Sequence, residues 1–227
     1  MKRISLSLLV LLISISLLQA QKNSLDDSTA VYKDRYGKVL NKQQVQELTK
    51  GQFGIQTGKL ADGRKVITIV PAEDSPREAQ RKMIESFRKG LIGKKLSDFK
   101  FDDIKGNKLN RKELEGKVIV INFWFTSCKP CILEMPFLNE LVAAYKDKDV
   151  VFIAPALDKE AGITKFLQKF TFNYQVVAGQ EAYANKLQVE NFPTHIIADK
   201  KGIIKQVEVG YNSGIKNILG KTIEGLL

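Results

Sequence analysis

Val118-Ile119-Val120-Ile121-Asn122-Phe123-Trp124-Phe125-Thr126-Ser127-Cys128-Lys129-Pro130-Cys131 is the stretch that decides the fold of this 227-residue chain. From Val118 to Phe125 it is apolar apart from Asn122, and Gly116 stands just before it. So continuous a run suits a strand buried on both faces of a sheet. The strand delivers Cys128 and Cys131, the two cysteines of the chain, to the start of a helix whose initiation Pro130 supports. A helix N-terminus presents unpaired N–H groups and the positive end of the helix dipole, and both stabilise a thiolate. The thiolate is the nucleophile of thiol–disulfide exchange. A second cysteine one turn along can attack the resulting mixed disulfide and release the bound partner. Cys128, at the exposed entrance to the helix, is the candidate nucleophile, and Cys131 behind it the candidate resolving thiol. Lys129 adds a positive charge beside them.

Two other uses of the pair weaken on inspection. A structural disulfide across so short a loop removes little entropy from the unfolded chain. A zinc site needs four ligands, and the rest of the chain offers one histidine, His195, and no cysteine. A carboxylate would have to complete that set. Reversible redox chemistry is the expectation, with no metal and no cofactor.

The segment Asn122 to Cys131 resembles the active site of thioredoxin-like thiol–disulfide oxidoreductases, above all the extracytoplasmic TlpA/ResA group. Glu134 and Pro136 extend it to C-x-x-C-x-x-E-x-P, and Phe192-Pro193-Thr194 resembles the loop whose cis-proline faces the cysteines. The likeness runs from about Leu91 to the C-terminus. It implies an α/β, thioredoxin-like fold, a central mixed sheet flanked by helices. It also implies protein disulfide or dithiol substrates and an upstream redox partner. Phe192, Pro193 and Thr194 would bind substrate, Pro193 through a backbone edge, and Glu134 would accept the Cys131 proton. Read without the likeness, Glu134 is a first-turn acid favoured by the helix dipole, and the bond before Pro193 is trans. Trp124 is a candidate substrate-binding residue too, although its place in an apolar strand favours packing. His195 reads as a structural or surface residue. Two departures stand out: Ser127 replaces the usual tryptophan, and Asn122 replaces the buried aspartate of cytosolic thioredoxins, as is familiar in the TlpA/ResA group.

The run-in lacks the Pro-x-x-x-Thr/Ser-x-x-Cys pattern of peroxiredoxins, because Phe125 lies three residues before Cys128. A thiol peroxidase is therefore the weaker alternative enzyme. The alternative of a different class is a redox-sensitive protein-binding module whose disulfide controls its shape.

Residues 1–20 have the order of a signal peptide: a basic Met1-Lys2-Arg3, an apolar run to Leu18, and a cleavage site at Leu18-Gln19-Ala20. Export to the periplasm is expected, as a reductant more than an oxidant. Membrane association is expected only if the leader stays uncleaved as an anchor. The formal charge of +11 is spread along the chain, with short runs such as Lys94-Lys95 and Lys200-Lys201. That is solvated surface, and no nucleic-acid partner is expected.

Residues 21–30 read as a flexible mature N-terminus and 31–90 as a small α+β accessory region. The latter holds a helix over 42–48, a hairpin around Ala61-Asp62-Gly63-Arg64, a linker over 71–76 and a linking helix over 77–89. Residues 91–227 form the thioredoxin-like domain. Its expected strands cover 98–103, 117–125, 150–157, 174–178, 194–198 and 203–209, alternating with helices over 131–146, 162–170, 181–187 and 215–226.

Overall fold

A computed structural model describes residues 28–50, 53–71 and 75–227. The leader expected over 1–20 lies outside these residues, as do 21–27 of the polar stretch and 72–74 of the linker. The chain forms two units, divided between Lys82 and Met83.

The first unit contains β1 (Val31–Lys33), α1 (Lys42–Leu48), β2 (Phe53–Lys59) and β3 (Lys65–Pro71). Asn41 caps α1 in a reciprocal box: its side chain accepts the Gln44 N–H, and the Gln44 side chain accepts the Asn41 N–H. β2 and β3 pair antiparallel from Phe53↔Pro71 to Lys59↔Lys65. Gly63 closes their turn at φ +84°, where a side chain would be strained, and Asp62 accepts the Arg64 N–H at 3.0 Å. Val45, Phe53 and Ile69 make a small core with Tyr32 and Leu40 against it. β1 adds to β3 in parallel. Three residues carry too little alternation to announce such a strand, and the sequence reading does not contain it. Pro71, expected in the linker, ends β3 instead.

The division falls inside α2 (Pro76–Leu91), whose Phe87 and Leu91 pack against the second unit's core. There β4 (Lys100–Asp102) and β5 (Lys108–Asn110) form an antiparallel pair, followed by a 3₁₀ turn over Arg111–Leu114. Then come β6 (Val118–Phe123), α3 (Lys129–Ala144), β7 (Val150–Pro155), α4 (Glu160–Leu167) and β8 (Gln175–Val177). The chain ends with α5 (Glu181–Lys186), β9 (Thr194–Ala198), β10 (Ile204–Val209) and α6 (Ile215–Glu224). The sheet order is β10-β9-β6-β7-β8. β6, β7 and β8 run parallel, while β9 is antiparallel to both β6 and β10, so the sheet is mixed.

β6 is central, and all six of its residues are buried. Successive side chains of a strand point to opposite faces. Val118, Val120 and Trp124 therefore join one core, and Ile119, Ile121 and Phe123 the other. α3 and α6 close the first core. α3 supplies Cys131, Met135, Leu138 and Leu141, a helical stripe one face wide, and α6 supplies Ile215, Leu219 and Ile223. The second core holds Phe99 and Phe101 stacked at 4.5 Å, with Tyr183 of α5 edge-on to both. α3 continues through Pro136 to Ala144.

Leu138 has no exposed surface and lies mid-stripe in the first core. Leu138→Ala should lower unfolding stability by about 2–5 kcal/mol, the usual range for a core leucine truncated to alanine. Urea denaturation checks this. A loss below about 1 kcal/mol would mean that α3 does not pack as described.

Candidate active site

The loop from β6 to α3 is fastened at both ends. The β6 ladder runs one residue past Phe123: the Trp124 N–H donates to the Pro155 carbonyl, and its carbonyl accepts from Leu157 N–H. Two residues on, Asp158 grips Thr126 twice, accepting its N–H at 2.6 Å and its hydroxyl at 2.8 Å. The Cys128 N–H then donates to the Phe125 carbonyl at 3.0 Å, turning the chain into α3.

Cys128 is the N-cap of α3, with Pro130 in the first turn. Its sulfur accepts the Cys131 N–H at 3.3 Å, satisfying one of the helix's free donors. The two sulfurs are bonded to each other. Cys128 is 4% exposed and Cys131 1%. The order is the expected one, but Cys128 is not at an exposed entrance in the disulfide state. Both cysteines join the first core, against which Phe125 and Phe192 pack, their rings edge-on at 5.3 Å. Ser127 and Lys129, on either side of Cys128, are exposed.

The peptide bond between Phe192 and Pro193 is cis. Thr194 pairs with Phe123 in the β6–β9 register, so Pro193 lies level with Trp124, where the cysteine loop leaves the sheet. The Pro193 carbonyl accepts the Gly210 N–H at 2.8 Å, and the buried Thr194 hydroxyl donates to the Asn191 carbonyl at 2.6 Å. Phe192 is partly exposed.

Trp124 departs from the expectation that it binds substrate. Its side chain is fully buried, with the indole N–H directed at the Ala154 carbonyl at 3.4 Å and the ring against Phe166 and Phe172. Strand alternation turns it into the core beneath the loop, so packing is its function here.

Glu134, three residues after Cys131, is wholly buried. One oxygen lies 2.8 Å from His195 Nε2, and the other accepts the Asn212 N–H at 2.7 Å. His195 is equally buried and stands opposite Asn122 in the register. Nearby, burial pushes the Tyr174 phenol well above its ordinary range, and the Glu134 charge adds to that shift. The sequence reading has Glu134 but not its partners, nor Asp158. A signal for His195 exists: Asn122 and His195 are the polar interruptions of two adjacent apolar strands, and the register brings them together.

This geometry can be set beside known proteins. The Redoxin family profile matches residues 91–221. Thiol-disulfide oxidoreductase ResA of Geobacillus kaustophilus is 34% identical over 121 residues, which are 52% of this chain and 70% of that one. Thioredoxin-like protein YneN of Bacillus subtilis is 30% identical over 121 residues, 52% of this chain and 71% of that one. Among solved structures, a Chlorobium tepidum protein provisionally named thiol:disulfide interchange protein DsbE superposes with a TM-score of 0.56 at 26% identity. That match covers 60% of this chain and 96% of the other. The mixed sheet flanked by helices is thus a thioredoxin-like fold. By sequence and by structure the chain belongs to the Redoxin family, as a thiol–disulfide oxidoreductase of the TlpA/ResA-like kind.

Proposed function

We propose that this enzyme is exported and reduces protein disulfides through Cys128 and Cys131. The observation that carries this reading is the bonded pair at the N-terminus of α3, with the Cys128 sulfur accepting a helix N–H. After reduction, the same N–H groups and the helix dipole favour a Cys128 thiolate. Cys128 attacks the substrate disulfide, and Cys131 resolves the mixed disulfide. Glu134, one turn further along α3, accepts the Cys131 proton. Phe192 and cis-Pro193 form the substrate edge, whereas Thr194, expected there too, is wholly buried and holds the loop through the Asn191 carbonyl. The Pro193 carbonyl is engaged by Gly210, so the backbone offered to a substrate is that of Phe192. Opening the disulfide uncovers Cys128, which is shielded while oxidised.

Residues 91–227 carry this chemistry, in keeping with the Redoxin match over 91–221. Residues 31–90 are an accessory extension. An oxidising compartment holds dithiols oxidised, so net reduction there requires an upstream electron donor.

Three outcomes are expected. With an added dithiol the mature protein reduces a small disulfide-bonded protein. Cys128→Ser abolishes turnover, and Cys131→Ser accumulates mixed disulfide that non-reducing electrophoresis detects. Normal turnover by Cys128→Ser would remove it as the nucleophile.

Glu134→Gln should slow resolution about 100-fold, the lower range for a general base. It should leave the initial attack, read from Cys128 alkylation, within about twofold, far below that general-base range. Stopped-flow exchange separates the two steps, and equal slowing of both would assign Glu134 to structure.

The third outcome concerns the leader. Intact mass of the protein from the native cell should correspond to a chain beginning at Gln21, recovered outside the cytoplasm. A full-length, membrane-retained product would establish the anchor instead.

A further inference from the structure

One buried ionisable side chain has no part in this scheme. His195 is the single histidine of the chain, has no exposed surface, and sits with Nε2 2.8 Å from Glu134. Its strand neighbours Ile196, Ile197 and Ala198 show what the position takes when packing alone matters. An imidazole there costs desolvation that only hydrogen bonds offset, yet its Nδ1 has no hydrogen-bond partner among the described residues. Glu134 is held on both oxygens, by the Asn212 main-chain N–H, which cannot titrate, and by a ring, which can.

We propose that His195 is a positioning residue of the exchange reaction: it shares one proton with Glu134, so that the pair, and not the carboxylate alone, takes up the proton of Cys131. This rests on the roles given above to Cys131 and Glu134. In the mixed disulfide, the Cys131 thiol gives its proton to the Glu134–His195 pair, and its sulfur attacks Cys128 Sγ. The Cys128–Cys131 bond forms as the bond from Cys128 to the substrate sulfur breaks. The substrate sulfur leaves with the electron pair as a thiolate and takes a proton from water. The substrate is reduced by two electrons and the enzyme oxidised by two. The pair returns its proton when the upstream dithiol reduces the enzyme again.

Before it takes up the proton, the pair is an ionised Glu134 accepting from the Nε2–H of a neutral ring. Afterwards it is neutral overall, with one proton between Oε2 and Nε2 and another on Nδ1. Other groups around the ring do not compete. Asn122 on β6 is neutral, and the Tyr174 phenol is held un-ionised by burial and the Glu134 charge. Glu208, opposite His195 on β10, has its own counter-ion in Arg88 at 2.5 Å. The cysteines exchange protons with the pair as described.

The test compares His195→Gln, His195→Leu and Glu134→Gln in the full mature protein. Mixed-disulfide resolution is followed by stopped flow from roughly pH 5 to 9, the range in which an imidazole changes charge. Gln can donate a hydrogen bond to Glu134 but cannot carry the proton. His195→Gln is therefore expected to slow resolution about tenfold, less than the roughly 100-fold minimum for losing a general base outright, because Glu134 remains. It should also change the shape of the pH profile of resolution, because the carboxyl no longer shares its proton with an imidazole. Cys128 alkylation should keep its wild-type profile. Wild-type resolution by His195→Gln at every pH, with Glu134→Gln still slow, overturns the sharing and leaves Glu134 as the base. Wild-type resolution by Glu134→Gln overturns the underlying reading as well. Should His195→Leu fail to fold, nitrogen-15 NMR of the wild type still decides, since one imidazole supplies all the ring signals. A ring that stays in one neutral tautomer throughout the pH range in which resolution changes rate also overturns the proposal.

Discussion

The 2.8 Å contact between Glu134 and His195 joins α3 to β9 through two wholly buried polar side chains. A carboxylate without surface is tolerated only when each oxygen finds a donor, and here the donors come from β9 and from the segment before α6. Removing one partner from such a buried pair typically costs ~3–5 kcal/mol, because the other is left uncompensated. Apolar packing is non-directional, whereas this contact has a single donor–acceptor geometry. The polar contact fixes its register, and with it the height at which Cys128 caps the helix. The Thr126 grip by Asp158 does the same from the other end of the loop. The cysteines are thereby held between two polar anchors, one on each side of the disulfide.

Much of this was legible locally. The Val118–Phe125 run announced a doubly buried strand because alternation is invisible where both faces are covered, and β6 is such a strand. The Asp62-Gly63 turn announced the β2–β3 hairpin because Gly63 must adopt positive φ there. Two of the strands of three residues, β1 and β5, were not legible, whereas β4 and β8 fall inside the expected strands 98–103 and 174–178. β1 and β5 hold too few side chains to show a period, and each depends on a partner strand for its existence. The 3₁₀ turn over Arg111–Leu114 was hidden likewise, being set by the Asn110 cap and by Arg111 turning inward to Asp98.

At the site, Cys128, Cys131 and Glu134, spaced three apart along one helix, were legible from local spacing, and Phe192, Pro193 and Thr194 only from the family resemblance. His195 and Asn212 lie 61 and 78 positions from Glu134. No local pattern couples positions so far apart; the β6–β9 register does, and that follows from sheet order. The burial of Cys128 escaped for a similar reason, since a helix entrance is exposed by default and the Phe125–Phe192 pair that packs on its core joins two distant loops. Trp124 admits two readings because sequence gives its neighbours and not its face.

The two departures from the usual motif can be understood together with these contacts. Ser127, where tryptophan is usual, is exposed and supplies no apolar wall, but Phe125 and Phe192 make an aromatic pair packed against the core that holds both cysteines. Asn122 stands opposite His195 on the strand face that carries Glu134's partner. An aspartate there would put a second carboxylate into a space where the first already uses the available donors. Like charges in one buried site cannot both ionise at neutral pH, so one of the two would hold a proton permanently. With asparagine at 122 that competition does not arise, which is a condition the proton transfer proposed above for Glu134 would need.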